Sequence, residues 1–301
     1  AIHVVKDAGM EVNRLLEEMV PRKVLVQPFL SDRGLRMMET LHREPYLEII
    51  LVVDDLWTHV PAENPVSKLI PKDVANRLHY LASLSDTLVF TTEELRQRLG
   101  MGHNNTHVIN NALPEWLWMP AASTRPPAGK RLRIGWAGAP QHAGDLAFLE
   151  QVIEATHHAA DWVLMGMCPG HLRALVNEFQ PMVPLREYPK ALSNQRIDVA
   201  IAPLTANPFN RCKSHLKVLE YGILGLPVVA ADLEPYQHAP VQVARPDDPE
   251  DWIAKIGALL ADDGLRDELG GKLRRWVTQH HMCEHRRSDW LAALRVKTDA
   301  P

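Results

Sequence analysis

The strongest constraint on this chain is a repeated alternation. Short β-branched apolar runs trade places with helix-period stretches almost from end to end. Strands are expected at Lys23–Gln27, Glu48–Asp54, Thr87–Thr91, His107–Asn110, Leu132–Ala137, Trp162–Met165, Val199–Ala202 and Pro227–Ala231. Helices are expected between them at Asp32–Glu44, Asp73–Ser83, Glu93–Leu99, Asp145–His158, His171–Phe179 and Ser214–Leu224. Several of the strand runs are apolar throughout, as parallel strands covered on both faces are. Such alternation builds βαβ units, so the fold class is α/β with doubly wound parallel sheets.

The pattern breaks once. Pro114–Lys130 reads PEWLWMPAASTRPPAGK, with four prolines and no period, and is expected to be a linker or hinge. It divides the 301 residues into two units, the number suggested by about 150 residues per domain. Two Rossmann-like domains facing across a cleft are therefore expected: 1–118, a hinge at 119–130, and 131–301. Asp248–Leu260, Leu265–Thr278 and Asp289–Val296 are expected to form a helical tail on the second. The first unit is thin, because its first convincing strand begins only at Lys23. It reads as a trimmed first domain, or as part of a longer multidomain protein.

Composition excludes several function classes. A formal charge of -4 leaves no electrostatic footprint for nucleic acid. Three cysteines without CxxC spacing fit a reducing compartment rather than a disulfide framework. The longest apolar runs are strand-sized, and the N-terminal stretch lacks the features of a signal peptide. The expectation is a cytoplasmic protein, with a peripheral visit to a membrane left open. GWAGAP is not GxGxxG, and no GxSxG, HExxH or Walker A motif occurs.

The chemistry concentrates in Asp198–Asp232, DVAIAPLTANPFNRCKSHLKVLEYGILGLPVVAAD. A strand ends in a polar loop, a helix is expected from about Lys213, Gly225 stops it, and a second strand follows. In parallel α/β folds, ligands sit beyond the carboxyl ends of strands, where helix N-termini point. Lys213, Lys217 and Glu220 are spaced i, i+4 and i+7, on one helix face within about 60° of each other. Their span is on the order of 10 Å, which suits a nucleotide diphosphate. Phosphates would meet the helix N-terminus and Lys213, and the ribose hydroxyls would meet the Glu220 carboxylate. The same spacing also describes an ordinary amphipathic surface helix.

At these residues the chain resembles a known family. Asn207–Ala230, NPFNRCKSHLKVLEYGILGLPVVA, resembles the donor-binding segment of glycosyltransferase family 4-like enzymes with the GT-B fold. Within them it is most similar to the bacterial branch that assembles O-antigen and other surface polysaccharides. RIGWAGAPQHAGDL (Arg133–Leu146) resembles their Gly-rich loop. LVVDDL (Leu51–Leu56), SDTLVFTTEEL (Ser85–Leu95) and VINNAL (Val108–Leu113) resemble first-domain segments.

The resemblance implies a glycosyltransferase that uses a UDP-, GDP- or dTDP-sugar donor, retains anomeric configuration, and needs neither metal nor cofactor. The acceptor would be a glycan, a lipid-linked molecule or a protein. Glu220 matches the second glutamate of the family's E-x7-E motif, which holds the ribose. The first glutamate falls on Cys212. Lys213 and Ser214 would face the diphosphate, backed by the amides of His215 and Leu216. Lys213 would stabilise the leaving group, with Asn210, Arg211 and Lys217 alongside. Gly138 would allow close backbone approach to the phosphates.

Asp54 and Asp55 end a strand at the ligand-facing edge. They read either as acceptor-side groups or as turn acids bonding to local amides. His142 is expected to contact phosphate, and Asp145 to cap the helix beginning there. The tract His280, His281, Cys283, His285 has metal-like spacing, but its arginine neighbours favour a solvated basic helix with at most a weak membrane-surface contact. Two other functions share this architecture: a binding module without catalysis, which Cys212 favours, and a sugar-nucleotide 2-epimerase.

Overall fold

A computed structural model of the chain describes residues 21–124 and 131–295. The first half alternates β1 (Lys23–Val26), α1 (Asp32–His42), β2 (Glu48–Val53), α2 (Val74–Ser83), β3 (Thr87–Phe90), α3 (Glu93–Leu99) and β4 (Thr106–Val108). The four strands are all parallel, in the order β1-β2-β3-β4. Ser31 and Thr92 cap α1 and α3 by accepting from the amides of Gly34 and Leu95.

The second half runs α4 (Glu115–Ser123), β5 (Arg133–Ala137), α5 (Leu149–Thr156), β6 (Asp161–Gly166), β7 (Glu178–Pro181), α6 (Tyr188–Asn194) and β8 (Val199–Ala202). It continues with α7 (Pro208–Arg211), α8 (Leu216–Ile223), β9 (Val228–Ala231), β10 (Gln242–Ala244), α9 (Pro249–Ala261), α10 (Asp263–His280) and α11 (Arg287–Ala293). Its parallel sheet has the order β10-β9-β8-β5-β6-β7. From β5 the chain winds outward to β6 and β7, then returns to β8 on the other side. A crevice is therefore required at the carboxyl ends of β5 and β8. Val199–Ala202 and Val228–Ala231 are buried along their whole length, which explains their unbroken apolar sequences.

The expected linker is largely a helix. α4 spans Glu115–Ser123 despite Pro120, and Trp118, Ala121 and Ala122 are buried in the core of the second half. Tyr188 meets Trp118 edge-on at 5.8 Å, and Ser193 Oγ donates to the Ala121 carbonyl. Packing against α6 outweighs the lost proline hydrogen bond. The carbonyl that Pro120 leaves without an amide belongs to exposed Trp116, where water can serve it. A boundary at 118 would thus cut a helix. Residues 125–130 of the expected hinge, 1–20 and 296–301 lie outside the described residues.

Three other expectations change. His171–Phe179 is no helix: a single turn at Gly170–Leu172 leads into β7, which pairs with β6. The helix expected from Lys213 begins at Leu216, after the separate short α7. The tail does not stay with the second half. α11 returns to the first sheet, where Ala293, Trp290 and Leu294 pack with Ile50, Val89 and Ile109.

The two halves are fastened at several points. Phe209 and Cys212, from the loop after β8, are buried in the core of the first half. Thr92 Oγ1 donates to the Cys212 carbonyl at 2.9 Å, and Asn111 Nδ2 donates to Ser214 Oγ at 2.9 Å. The returning segment is pinned by Leu113 N to His281 O and Cys283 N to Leu113 O, both 2.9 Å.

Candidate functional site

The crevice predicted by the strand order is occupied by side chains from both halves. α8 starts at its rim; the His215 carbonyl takes the amides of Val218 and Leu219, and a helix start leaves the amides before them without intrahelical acceptors. Gly225, at φ 72, ends α8 in the left-handed conformation that glycine adopts without strain. α10 then packs tightly behind it, since a Cβ on Gly222 would lie 2.7 Å from Leu273.

One cavity of about 240 Å³ is lined by Asp54 and Asp55 from the end of β2 and by Asn111, His142, Lys213, Lys217, Glu220 and Tyr236 among others. A second, of about 400 Å³, is walled by Gly138, Gly166, Leu185 and Tyr188. The two share His142, Lys217 and Glu220, so they form one groove over the ends of β5 and β6.

Glu220 and Lys217 form its charged floor. Burial pushes the Glu220 carboxyl up and the Lys217 ammonium down, while their opposite charges resist both shifts. Tyr188 OH donates to Glu220 Oε2 at 2.9 Å, and Lys217 Nζ donates to the Ala137 carbonyl. The lysine also lies over the Trp136 ring at 5.4 Å. Tyr221 OH accepts from Ala137 N–H at 2.9 Å, tying α8 to β5.

Lys213 precedes α8 yet still reaches the groove. Its ammonium stands 4.6 Å over the Phe209 ring and 3.9 Å from Asp55 Oδ1. Facing it, Asp54 is pushed up to about 6 by burial and by the adjacent Asp55 charge. Asp54 Oδ2 accepts from Gln27 Nε2 at 3.1 Å, whereas Oδ1 is buried without a partner among the described residues. Burial also raises Asp55, and Lys213 opposes this.

His142 is held down to about 4 by burial and is neutral at pH 7. Its Nδ1 bonds Asp145 Oδ2 at 2.8 Å. Asp145 does not cap a helix as expected. It is buried, and its Oδ1 accepts from Thr205 N at 3.0 Å and Asn210 Nδ2 at 2.7 Å. A carboxylate so placed favours Nδ1–H on the histidine and leaves Nε2 as an acceptor.

The structure thus brings together Gly138, His142, Lys213, Ser214, Leu216, Lys217, Glu220, Asp54 and Asp55. Two expected side chains, those of Arg211 and Asn210, are already engaged by other partners. Arg211 is clasped by Glu234, with both contacts under 3 Å, so its charge is already matched. Asn210 is buried and spends its amide on Asp145 and the Thr205 carbonyl. The His215 ring turns away to meet His281 at 4.8 Å and Trp276 at 5.9 Å. Gly138 has a local reason of its own: a Cβ there would lie 2.4 Å from the Trp136 ring.

The His280–His285 tract is not simply a solvated basic helix. His281 is buried, stacked at 3.9 Å on Trp276, and held down to about 3 by burial and by neighbouring His215 and Arg286. Among the described residues, no three His, Cys, Asp or Glu side chains converge as a metal-binding set. No described helix is long and apolar enough to cross a membrane.

Sequence reasoning missed Tyr188 and Tyr236 as groove residues and Asp145 as the group orienting His142. Tyr188 lies 32 residues from Glu220, so no helical or strand spacing connects them. Asn111 fell within VINNAL, which was singled out only for its resemblance to a first-domain segment.

Residues 146–292 match a family model described as glycosyl transferase-like. A Bacillus subtilis (strain 168) protein assigned as the teichuronic acid biosynthesis glycosyltransferase TuaH is 23% identical over 316 residues, covering 95% of this chain and 75% of the relative. Sucrose-phosphate synthase (tll1590) from Thermosynechococcus elongatus superposes with a TM-score of 0.72 at 15% identity, over 94% of this chain and 75% of that one. Anabaena Alr3699/HepE, solved with UDP and glucose, superposes with a TM-score of 0.65 at 10% identity, over 95% and 81%. At such identities the structural matches carry the fold, which is the two-sheet GT-B architecture.

Proposed function

We propose that this chain, a glycosyltransferase of the GT-B fold, transfers sugar from a nucleotide-diphospho-sugar donor to a glycan, lipid-linked or protein acceptor in surface-polysaccharide assembly. One observation carries the reading: Glu220, Lys217 and Lys213 converge on a single groove at the N-terminus of α8. The Glu220 carboxylate is suited to accept the vicinal hydroxyls of a ribose. Lys213, Lys217 and the first amides of α8 are suited to a diphosphate.

Transfer breaks the bond between the anomeric carbon and the β-phosphate oxygen, joins that carbon to an acceptor hydroxyl oxygen, and releases the hydroxyl's proton, while negative charge collects on the departing diphosphate. Lys213 and the helix N-terminus are placed to meet that charge as it develops. This positive charge is of the kind that a divalent ion supplies elsewhere, and it supports metal-independent transfer; retention is what the family resemblance implies. Asp54 and Asp55 face Lys213 from the first half and form the acceptor side, with Asp54 Oδ1 ready to receive a hydroxyl.

Titration calorimetry with UDP, GDP and dTDP tests the donor site. Binding of one of them, weakened in Glu220→Ala, is expected; no binding by the parent protein overturns the reading. Product analysis with a nucleotide sugar separates transfer from 2-epimerisation, which would convert the donor without an acceptor.

A further inference from the structure

A further cavity on the joint between the halves lies outside the donor groove. It encloses about 630 Å³, within the ~300–1,000 Å³ typical of small-molecule sites. The first half contributes Glu63 and Asn64, and the second contributes Gln141, Phe148 and Asp247. The halves nearly touch beside it, since a Cβ on Gly144 would lie 3.3 Å from Glu63 Cβ.

The walls are built in advance. Three polar side chains lining it are buried: Asn64, Asp145 and Asn210 are only 4%, 5% and 3% exposed. Asn64 Oδ1 is occupied by the Val66 amide at 3.0 Å, which leaves its NH2 group to donate. Asn210 is locked by Asp145 and Thr205. Phe148 is braced against Trp252, with ring centroids 5.4 Å apart, and adds an aromatic wall.

Charge selects the occupant. The donor groove holds two lysines, whereas no Lys, Arg or His lines this cavity, and Glu63, Asp145 and Asp247 do. A phosphate or a uronate would be repelled. Amides, carboxylates and an aromatic wall instead suit a ligand rich in hydroxyls that carries no negative charge.

We propose that this cavity is a second carbohydrate site, which takes a neutral oligosaccharide segment and bridges both halves. Naming the ligand a glycan rests on the glycosyltransferase reading. Asp145 forms the wall between the two sites, with Oδ1 on the Asn210 side and Oδ2 holding His142 in the donor groove.

The test uses the full chain with maltotriose, cellotriose and triacetylchitotriose as neutral probes, trigalacturonate as the anionic one, and UDP, GDP and dTDP as donor-site probes. Binding is read by saturation-transfer NMR and calorimetry, in the parent protein and in Gln141→Trp and Glu63→Arg, two exposed positions. At least one neutral trisaccharide is expected to bind, in preference to trigalacturonate. Both substitutions are expected to weaken it tenfold or more, with nucleotide affinity unchanged within twofold. The proposal fails if no neutral trisaccharide binds, if trigalacturonate binds better, or if neither substitution weakens binding. Nucleotide binding without trisaccharide binding defeats this site alone; the reverse defeats the donor-site reading alone.

Discussion

Tyr188 donates its hydroxyl to Glu220 Oε2 across 2.9 Å, joining the first turn of α6 to the buried face of α8. One carboxylate oxygen is thereby fixed in place while the other is left to a ligand. Glu220→Ala should weaken nucleotide binding by about 1.5–3 kcal/mol, the value of a hydrogen bond to a charged group. Tyr188→Phe should cost only about 1 kcal/mol, because the carboxylate survives and loses only its orientation. Calorimetry distinguishes the two; equal losses would mean that the tyrosine itself contacts nucleotide.

The two aspartates after β2 make the groove sensitive to pH. Asp54 titrates near 6 in the fold, above its ordinary 3.8, because burial and Asp55 disfavour its charge. A raised carboxyl binds its proton more tightly in the native state, so its cost is absent below pH 3.8 and complete above about 6. Asp54→Asn should therefore stabilise the protein at pH 7.5 by about 2–3 kcal/mol and by nothing near pH 3.5. Urea unfolding across that range measures the difference. A constant difference would show that Asp54 is not the titrating group.

Three histidines act in the opposite sense. His142 and His215 titrate at about 4 and His281 at about 3, in each case chiefly through burial. Each is neutral in the fold but charges near 6.5 once unfolded. The unfolded chain therefore binds more protons, and stability is lost as pH falls through 6.5 toward 4. Each contributes about 1.4 kcal/mol per pH unit within that window. His281→Phe should make the slope shallower by that amount, measured by unfolding at pH 6, 5.5 and 5.

Cys212 stands where the resembling family has its first glutamate, yet its side chain is fully buried among Leu and Phe side chains of the first half. Burial also raises its thiol to about 11. Cys212→Glu should therefore destabilise the protein by about 3 kcal/mol or more, because a carboxylate there is buried away from water. It should add no activity. A stable variant with faster transfer would show that the segment swings out toward the donor.

Much of the fold was legible because its signals are local. Val199–Ala202 and Val228–Ala231 are unbroken apolar runs, and only a strand covered on both faces tolerates such a sequence. Gly225 stopped α8 for a reason visible in one residue. α4 was illegible because its prolines and tryptophans have no period of their own; its helical state depends on α6 packing against Trp118. Arg211 and Asn210 show a similar dependence: the sequence places them beside α8, but Glu234 and Asp145, distant in sequence, engage their side chains.

By itself the sequence determined the parallel α/β architecture and the placing of Lys217 and Glu220 on one helix face, since strand burial and short-range spacing are written in neighbouring residues. Tertiary structure decided which of these groups share a groove, which are already paired, and what stands opposite them. Tyr188 against Glu220, Asp55 against Lys213 and Asp145 against His142 are meetings across sheets and loops. The physical reason is that burial and long-range partners, not residue type alone, set whether a polar side chain is spent on the fold or left to a ligand.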